Sequence, residues 1–364
     1  MEYSGRHIST DRLEEIFRTV EEPDREIYAK ILANWDATAK PLDGLGRFEE
    51  ILARIGAILG TEEPDIRKKA VIIMCADNGI VEEGVSQSGM EVTTAVARQM
   101  ARGNSSVGKM AAVIGADTIP VDIGMYHPEP IKGVWNRKIR RGTGNFRREP
   151  AMTREEALEA ILTGMEIAAD CKEKGYGILA AGEMGIGNTT TSSAVAAALL
   201  KCETEAVTGR GAGLNDEKFR NKQRIIAEAV EKYRLYEADP LTALETVGGL
   251  DIAGLAGLCI GGALSHIPVV LDGVISMTAA LAAERIAPGT ARFLIPSHKG
   301  REPAVERLTR ALGLEPVIDG GMALGEGTGA VMMLSLIDMA WSVYRDRTLF
   351  SDIRVEPYER YEKI

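Results

Sequence analysis

Residues Gly182–Ser193 have the sequence GEMGIGNTTTSS and separate two apolar runs. The preceding run, Gly177–Ala181 (GILAA), predicts a buried strand, and the following run, Ala194–Leu200 (AVAAALL), predicts a buried helix. A strand that enters a helix through small residues lets the backbone approach a ligand and points free N–H groups at it. Because the helix dipole adds partial positive charge there, the stretch predicts a site for an anion such as a phosphate. An ordinary Gly/Ser/Thr turn with a helix cap is the alternative interpretation.

A carboxylate lies within this stretch. Glu183 is placed among groups that bind anions, which argues against a simple phosphate clamp and favours a shaped site. The stretch also lacks the Gly-Lys-Ser/Thr ending of a Walker loop, so a P-loop nucleotide-binding site is not predicted.

The composition is that of an ordinary soluble protein, with 364 residues of which 45% are hydrophobic and 26% are charged. This length allows one large domain with an appendage, or two domains. The formal net charge is −10 and no Lys/Arg-rich block stands out. Nucleic acid and an anionic membrane surface are therefore not expected as partners.

The cysteines and histidines form no disulfide or metal-binding pattern. The four cysteines are far apart, and Cys75 and Cys259 lie in apolar runs, so we expect buried thiols in a reducing cytoplasm. The four histidines have no ligand spacing, so we expect no metal. No signal peptide is visible at the start of the chain. The most apolar stretch, Ala253–Leu271, contains Ser265 and Pro268 and predicts a buried helix, a turn and a strand rather than a membrane span.

Further apolar runs alternate with helical patterns. Ala70–Cys75 (AVIIMC) is continuously apolar, as in a parallel strand that is covered on both faces. Thr153 and Glu156 form a capping box that predicts a helix over Ala157–Lys172. We predict about six strands: Ala70–Cys75, Thr118–Ile123, Gly177–Ala181, Pro268–Asp272, Arg292–Pro296 and Glu315–Asp319. Since polar or Gly-rich turns follow each strand, the pattern indicates an α/β fold, a doubly wound parallel sheet with its site at the carboxyl ends of the strands.

Residues 1–60 have helical patterns that precede this α/β body. Thr10 or Asp11 can cap a first helix, which has apolar residues at positions 13, 16, 17 and 20. A turn at Lys40–Gly46 is followed by the amphipathic Phe48–Leu59. Later in the chain, Val92–Ile114 predicts one long helix.

A second glycine-rich stretch, Gly325–Ala330 (GEGTGA), matches the dinucleotide pattern G-x-G-x-x-G/A. That fingerprint needs a following helix, a second strand and an acidic residue, whereas only 34 residues follow Ala330. We therefore reject the dinucleotide-binding interpretation of this stretch, and an NAD-dependent dehydrogenase is only a distant third hypothesis for the chain. What remains is Glu326, held between glycines at the start of a helix. It is either an exposed surface glutamate or a general base with open access on both sides.

Several other polar residues also have two interpretations. Lys222 lies in a charged helical pattern, where a solvated lysine is the usual case. Asp77 and Asn78 follow a strand and are therefore site candidates, with an Asx turn as the alternative. Asp272 follows the run PVVL and has the same two interpretations.

Together these motifs resemble the nicotinate-nucleotide–dimethylbenzimidazole phosphoribosyltransferase family, which makes the lower-ligand nucleotide of cobalamin. The resemblance extends from about Lys40 to about Tyr344. It rests on ten motifs in the same order: KPLDGLGRFEE, ADNGI, GVS with EVT, RGTGN with PAMTREEA, GEMGIGNTTTSSA, GRGAGL, GGLDIAGLAG, PVVLDG, SHKGREP and LGEGTGA. Each motif alone is weakly specific, but ten in this order are strongly so.

The resemblance implies a homodimeric enzyme with two domains. Residues 61–344 would form a Rossmann-like catalytic domain, and residues 1–60 with 345–364 a smaller helical domain. The implied reaction moves the 5-phosphoribosyl group of nicotinate mononucleotide to a benzimidazole nitrogen and releases nicotinate. No cofactor is implied, because the pyridinium of the mononucleotide is already a positively charged leaving group.

The resemblance also implies roles for individual residues. Glu326 would be the general base that removes a proton from the azole. The residues around the phosphate and ribose would be Glu183, Gly185, Gly187, Asn188, Thr189, Lys222 and Gly300. The base-binding pocket would be lined by Ser86, Ser88, Met90 and Leu324.

The chain departs from the family pattern in two places. Where the family commonly has Gly-His-Arg/Lys-Ser, this chain has Ser297–Gly300 (SHKG), which removes a hydroxyl near the phosphate. Where the family has Tyr-Pro-Gln, this chain has Ser88–Met90 (SGM), beside the base pocket. The acceptor is therefore left open between dimethylbenzimidazole, another benzimidazole, adenine and a phenol. A non-catalytic nucleotide-binding or sensing protein on the same scaffold is the rival interpretation.

Overall fold

The computed structural model describes residues 15–360, so the helix start predicted at Thr10 or Asp11 lies outside the described residues. The strands are β1 (Lys69–Ala76), β2 (Asp117–Gly124), β3 (Trp135–Asn136), β4 (Ile178–Met184), β5 (Val269–Leu271) and β6 (Leu294–Pro296). The α-helices with both ends described are α1 (Arg25–Ala37), α2 (Arg47–Leu59), α3 (Glu91–Met100), α4 (Ser106–Val113), α5 (Arg154–Glu173), α6 (Asn188–Leu200), α7 (Asp216–Lys232), α8 (Pro240–Val247), α9 (Leu250–Leu264), α10 (Val274–Ile286), α11 (Ala304–Leu312) and α12 (Thr328–Arg345).

The strands form one six-stranded parallel sheet in the order β3-β2-β1-β4-β5-β6. The chain builds outward from β1 in one direction and from β4 in the other, so the strand order reverses between these two neighbours. All eight residues of β1 are buried. Its alternate residues enter different apolar clusters, Ile72 and Met74 on one face and Val71 and Ile73 on the other. The α/β architecture is therefore the predicted doubly wound sheet, and the reversal beside β1 and β4 is where such sheets bind ligands.

Five of the six predicted strands are confirmed, and the sixth is wrong. Glu315–Asp319 makes only an isolated bridge between Ile318 and His298. The Val317 and Ile318 N–H groups both donate to the Ser297 carbonyl oxygen, and the Lys299 N–H donates to that of Ile318, so no regular ladder forms. The sixth strand is instead the two-residue Trp135–Asn136, which pairs with β2.

Two predicted helices have different bounds in the structure. The single helix predicted over Val92–Ile114 is two helices, α3 and α4, separated by a turn in which Gly103 has a φ of +70°. The helix predicted from Ala194 begins six residues earlier, at Asn188, since its N-cap is Gly187. The polar residues of the predicted loop therefore occupy the first turns of α6.

Close helix packing on one face of the sheet depends on glycines. A Cβ atom at Gly164 of α5 would lie 2.0 Å from the carbonyl oxygen of Gly254, and one at Gly257 of α9 would lie 1.9 Å from that of Ile161. Both obstacles are backbone atoms. The two helices can therefore approach this closely only where side chains are absent.

The helices near the two chain ends pack on each other. Trp35 of α1 and Tyr344 of α12 are fully buried, with ring centroids 5.1 Å apart. Arg360, near the end of the described chain, binds both Asp36 and Asp43 with two hydrogen bonds each. The early helices and the late chain thus form one local unit.

This helical unit is attached to the sheet through α2. Ile55 of α2 belongs to the same buried cluster as Val71 and Ile73 of β1. We propose that residues 1–60 with 345–364 form a small helical domain and residues 61–344 the α/β domain, with α2 at their boundary. None of the helices in residues 15–360 combines the length and the apolar character that a membrane span requires.

Replacing Gly257 with Ala tests the helix contact. Helix propensity alone favours Ala over Gly by about 1 kcal/mol. The collision with the Ile161 carbonyl oxygen, 1.9 Å from the new Cβ, outweighs this gain. We expect Gly257→Ala to lower the free energy of unfolding by about 2 kcal/mol, measured by denaturant unfolding. The matched control is Gly320→Ala, whose Cβ would make only ordinary van der Waals contacts, with the Met322 side chain at 3.5 Å and the Ile318 side chain at 3.9 Å. Equal or greater stability of Gly257→Ala would contradict the packing argument.

Candidate active site

The carboxyl ends of the strands surround a cavity of about 290 Å³. Its walls come from the ends of β4, β5 and β6, from the first turns of the helices that follow them, and from the loop before α12. The residues predicted for the site that line this cavity are Glu183, Gly185, Asn188, Thr189, Gly300, Leu324 and Glu326.

Three helices point their N-terminal ends at this cavity. The helices α6, α10 and α11 have Gly187, Gly273 and Pro303 at their N-caps, and no side chain caps any of the three. Residues of the first turn of each helix line the cavity, for example Thr189 and Val274. Because the first N–H groups of a helix have no partner within it, three such ends create a region of positive potential. The cavity is therefore suited to a phosphate group.

Glu183, at the end of β4, is held in a buried polar cluster. The Nδ2 atom of Asn188 donates hydrogen bonds to the Glu183 carboxylate and to Oδ2 of Asp251, the latter at 3.2 Å. Burial raises the pKa of Glu183 to about 8, with a smaller contribution from the Asp251 charge. Burial likewise raises the pKa of Asp251 to about 6. At neutral pH Glu183 is thus mostly protonated and able to donate a hydrogen bond to a ligand.

Glu326 lies in a loop of left-handed backbone before α12. Its φ is +63°, between Gly325 at +85° and Gly327 at +91°. The side chain is half-buried, and Oε2 accepts a hydrogen bond from the Val107 N–H at 3.2 Å. Burial and the Asp272 charge raise the pKa of Glu326, while the Val107 N–H opposes the shift. The result is a carboxylate with increased basicity that faces the cavity.

Asp272, at the end of β5, holds this loop in place. Its carboxylate accepts hydrogen bonds from the N–H groups of Gly327 at 3.1 Å, Gly329 at 2.7 Å and Ala330 at 3.2 Å. It therefore caps α12 from another part of the chain. Nδ1 of His298 lies 4.0 Å from Asp272 Oδ1, and burial raises the pKa of Asp272. An Asx turn does not describe these contacts, since Asp272 binds residues more than 50 positions away.

The two glycine-rich stretches meet directly. A Cβ atom at Gly182 would lie 2.7 Å from the carbonyl oxygen of Glu326, and one at Gly325 would lie 2.7 Å from Oε1 of Glu183. The backbone of β4 and the loop around Glu326 can approach this closely because neither glycine has a side chain. The protonated Glu183 and the more basic Glu326 consequently line the same cavity.

Lys222 and Gly187 stand behind the cavity wall. Lys222 is completely buried, and its Nζ donates to Thr189 Oγ1 at 2.9 Å. Burial lowers the pKa of Lys222 to about 8, and the Glu302 charge opposes the shift. The structure therefore does not place Lys222 as a solvated surface residue. Gly187 adopts a φ of +94° at the N-cap of α6, where a Cβ would lie 2.7 Å from Val81 Cγ2.

Three of the residues predicted to bind the base do not line the cavity. Ser86 and Ser88 lie in a surface turn where Ser86 Oγ accepts the Ser88 N–H at 3.2 Å. Met90 is the N-cap of α3. The same helix contributes Val96 to the cavity wall. Leu324 lines the cavity and is 54% exposed, at its rim.

Sequence reasoning missed three residues that the structure brings to this region. His298 and Arg301 both line the cavity, and both belong to the motif SHKGREP, which signals a polar turn after β6. Asp251 lies in the motif GGLDIAGLAG, where a lone acid inside a Gly/Ala helix was the available signal. Asp77 and Asn78, the other candidates at a strand end, are fully buried.

The fold and the cavity define an α/β protein in which three uncapped helix N-termini and two glutamates with raised pKa values line one cavity. Residues 20–355 match the family model described as phosphoribosyltransferase. The chain belongs to the nicotinate-nucleotide–dimethylbenzimidazole phosphoribosyltransferase family.

Individual relatives carry that family name. The chain is 46% identical to the enzyme of Acetivibrio thermocellus over 324 residues, which cover 89% of this chain and 92% of the relative. It is 42% identical to the enzyme of Clostridium acetobutylicum over 347 residues, which cover 95% of this chain and 99% of the relative. A crystal structure of CobT from Thermus thermophilus superimposes with a TM-score of 0.86 at 37% identity, covering 91% of this chain and 99% of that one. A second structure from that organism, titled with the same enzyme name as the relatives, has a TM-score of 0.85 at 36% identity, with coverage of 92% and 99%.

The raised pKa of Glu183 makes a prediction about stability and pH. The unfolded chain loses this proton near pH 4.5, whereas the folded protein keeps it to about pH 8. Stability contributed by the proton is therefore lost as pH rises through this window. We expect the Tm of the native protein to fall relative to that of Glu183→Gln between pH 5 and 8, because the Gln carbonyl still accepts from Asn188. The slope is at most about 1.4 kcal/mol per pH unit.

The measurement is thermal unfolding of both proteins across this pH range. Glu315→Gln, which removes a carboxylate that is 81% exposed, controls for the change in net charge. A Tm difference between the native protein and Glu183→Gln that stays constant from pH 5 to 8 would show that Glu183 is ionised in the fold.

Proposed function

We propose that the protein transfers the 5-phosphoribosyl group of nicotinate mononucleotide to 5,6-dimethylbenzimidazole or a related base. The products are alpha-ribazole 5′-phosphate, for the cobalamin nucleotide loop, and nicotinate. The observation that carries the proposal is that the Glu326 carboxylate lines the same cavity as three uncapped helix N-termini. A base and a phosphate-binding region in one cavity are what this transfer requires.

The proposed chemistry needs few protein groups. Nicotinate leaves as a neutral pyridine ring from a pyridinium, so its departure needs no acid. The attacking azole nitrogen becomes cationic unless the other ring nitrogen loses its proton. A carboxylate that accepts this proton contributes typically 10²- to 10⁴-fold to the rate.

Glu326 is our candidate for this base. Its raised pKa makes it a better proton acceptor than an exposed glutamate. The Val107 N–H holds Oε2, and within residues 15–360 no hydrogen bond is made to the other carboxylate oxygen, which we assign to a substrate. The left-handed backbone at Glu326 is held by the three hydrogen bonds to Asp272. The carboxylate therefore has a defined position before any substrate binds.

The sugar phosphate is assigned to the wall around α6. Gly185, Asn188 and Thr189 line it, and Lys222 supports Thr189 from behind. Gly187 shapes the N-terminus of α6, and Gly300 lines the facing wall. A mostly protonated Glu183 supplies a hydrogen-bond donor that suits a ribose hydroxyl.

The acceptor base is assigned to the rim at Leu324 and to the Ser86, Ser88 and Met90 segment. Leu324 presents an exposed apolar side chain there. For the segment to take part, it must move towards the cavity when the base binds. A benzimidazole is the proposed acceptor, and adenine and a phenol remain the alternatives.

A homodimer is the proposed assembly, and the cytoplasm the proposed location. The outward face of α12 is apolar over three turns, through Met332, Leu336, Met339 and Val343. Met332, Met339 and Val343 are 42%, 63% and 44% exposed. This spacing follows one face of a helix, which supports pairing with a second copy.

Replacing Glu326 with Gln tests the catalytic assignment. We expect kcat for nicotinate release to fall by about 10²- to 10⁴-fold, because the amide cannot accept the azole proton. The affinity for nicotinate mononucleotide should stay within a few-fold of the native value. Initial rates with dimethylbenzimidazole and titration calorimetry measure the two quantities, with Glu315→Gln as the control for an exposed carboxylate.

Two outcomes of this experiment oppose the proposal. Normal turnover in Glu326→Gln would remove Glu326 from its role. Saturable nucleotide binding by the native protein, without nicotinate release across a panel of benzimidazoles, adenine and phenols, would favour the non-catalytic rival. Stereochemical analysis of the product of each active acceptor would identify the reaction and the preferred base.

Replacing Met339 with Lys tests the proposed dimer surface. A charge in the centre of the apolar face should convert the dimer to a monomer, because burying an unpaired ammonium is unfavourable. Light scattering coupled to gel filtration measures the mass, with Ile353→Lys, a 51% exposed apolar side chain outside α12, as the control. A native monomer, or a dimer that survives Met339→Lys, would contradict the assignment.

A further inference from the structure

The charged groups of the cavity are unbalanced for a ligand that carries a phosphate. Four acidic side chains line it: Glu183, Asp272, Glu302 and Glu326. Burial keeps Glu183 mostly protonated at neutral pH, because its pKa is raised to about 8, so the other three supply the negative charge. Arg301 is the single Lys or Arg among the described residues of its walls. A phosphate monoester carries a charge of about −1.5 to −2 at neutral pH. An anion of this charge, placed among acids, needs a permanent cation nearby.

The guanidinium of Arg301 is available for this purpose. Its backbone is fixed by a hydrogen bond from its N–H to the Met322 carbonyl oxygen at 3.2 Å. Its side chain is exposed. Within residues 15–360 its guanidinium forms no ion pair. Nearby arginines differ, since Arg310 is paired with Glu306 and Arg210 with Asp216.

Glu302, the acid next to Arg301, is engaged elsewhere. Its Oε1 accepts a hydrogen bond from the N–H of Gly211 at 3.0 Å. A Cβ at Gly209 would also lie within 2 Å of its carboxylate, which shows how closely Glu302 packs on that turn. The carboxylate therefore lies against the Gly209–Gly211 turn and leaves the neighbouring guanidinium unpaired.

The local backbone around Arg301 also favours an anion. Helix α11 begins at Ala304 without a side-chain cap, and Val305 from its first turn lines the cavity beside Arg301. Gly300, which precedes Arg301, has no side chain to fill the space. The helix N-terminus, the open position at Gly300 and the guanidinium thus lie on one wall.

Lys222 does not provide the same contact. It is buried behind Thr189, to which its Nζ donates, and burial lowers its pKa to about 8. Its charge acts through the wall rather than at the cavity surface. Arginine keeps its charge at every pH of interest and can bind two phosphate oxygens at once.

We propose that Arg301 binds the 5′-phosphate of the nucleotide substrate and makes the site selective for a nucleotide over the corresponding nucleoside. Arg301 supplies a phosphate contact next to Gly300, the position at which the family pattern has a serine hydroxyl and this chain has none. This assignment rests on the proposed function, because it takes the substrate to be a mononucleotide. Arg301 is a binding residue in it and takes no part in the proton transfer at Glu326.

The experiment compares Arg301→Ala with the native protein on two substrates. With nicotinate mononucleotide, kcat/KM should fall by about 10- to 100-fold, mainly through a higher KM. With nicotinate riboside, which lacks the phosphate, the two proteins should turn over at the same rate. Lys299→Ala, an exposed cation two positions earlier that does not line the cavity, is the matched control and should behave as the native protein. Since Arg301 is exposed, its loss should leave the Tm unchanged.

The result that overturns the inference is an equal loss on both substrates, or no loss on either. An equal loss of kcat/KM on both substrates would mean that Arg301 contacts a part of the substrate other than the phosphate. The failure of the proposed function is distinguishable, because the native protein would then release no nicotinate from the mononucleotide. Calorimetric titration of the same proteins with nicotinate mononucleotide and the riboside decides the inference in that case. If Arg301→Ala binds the mononucleotide as tightly as the native protein does, the inference is refuted. If Arg301→Ala loses affinity for the mononucleotide but not for the riboside, the inference is supported.

Discussion

The bonds between the Asp272 carboxylate and the start of α12 are the contact on which the site depends. Three N–H groups that would otherwise lack partners donate to one buried acid at the end of β5. Glu326 has a left-handed backbone that costs a non-glycine residue about 1–2 kcal/mol. Such strain persists only where surrounding contacts hold the backbone in place. The three hydrogen bonds to the Asp272 carboxylate do this for the loop that contains Glu326. A sheet strand thus fixes the position of an acid from a loop 54 residues later in the chain.

The same cavity keeps two glutamates in different states. Glu183, at the end of β4, is buried apart from the part that lines the cavity, and this burial, with the nearby Asp251 charge, raises its pKa to about 8. Glu326 is only half-buried, and the Val107 N–H offsets part of its shift. A mostly protonated acid and a more basic carboxylate therefore line one cavity, where the two glycine-rich stretches meet. Pairs whose surroundings separate their pKa values are typical of sites that use acids for different tasks.

The sequence predicted the sheet well where a strand is buried on both faces, because its residues are then continuously apolar. Trp135–Asn136 has no such run, and pairing with β2 alone makes it a strand. The segment at Glu315–Asp319 has a strand-like sequence pattern, but its pairing is limited to one bridge between Ile318 and His298, which the pattern does not reveal. In the site, the glycines of both stretches were recognisable from the sequence. The long-range capping by Asp272 was not, because its partners are backbone groups whose position depends on the folded sheet.

The residues proposed for the reaction and those proposed for recognising the acceptor base lie in different parts of the fold. The proposed base depends on β5 through Asp272, and the phosphate region depends on helices that follow β4, β5 and β6. Both lie at the carboxyl ends of the sheet strands. The segment at Ser86–Met90 lies in a surface turn before α3, with its own local hydrogen bond. If the proposed base-binding role of this segment holds, a change at Ser88–Met90 alters the accepted base without moving Glu326 or the proposed phosphate region. One departure from the family pattern, Ser88–Met90, thus lies in a surface turn outside the cavity lining, and the other, Gly300, lies in the cavity wall beside the proposed phosphate contact of Arg301.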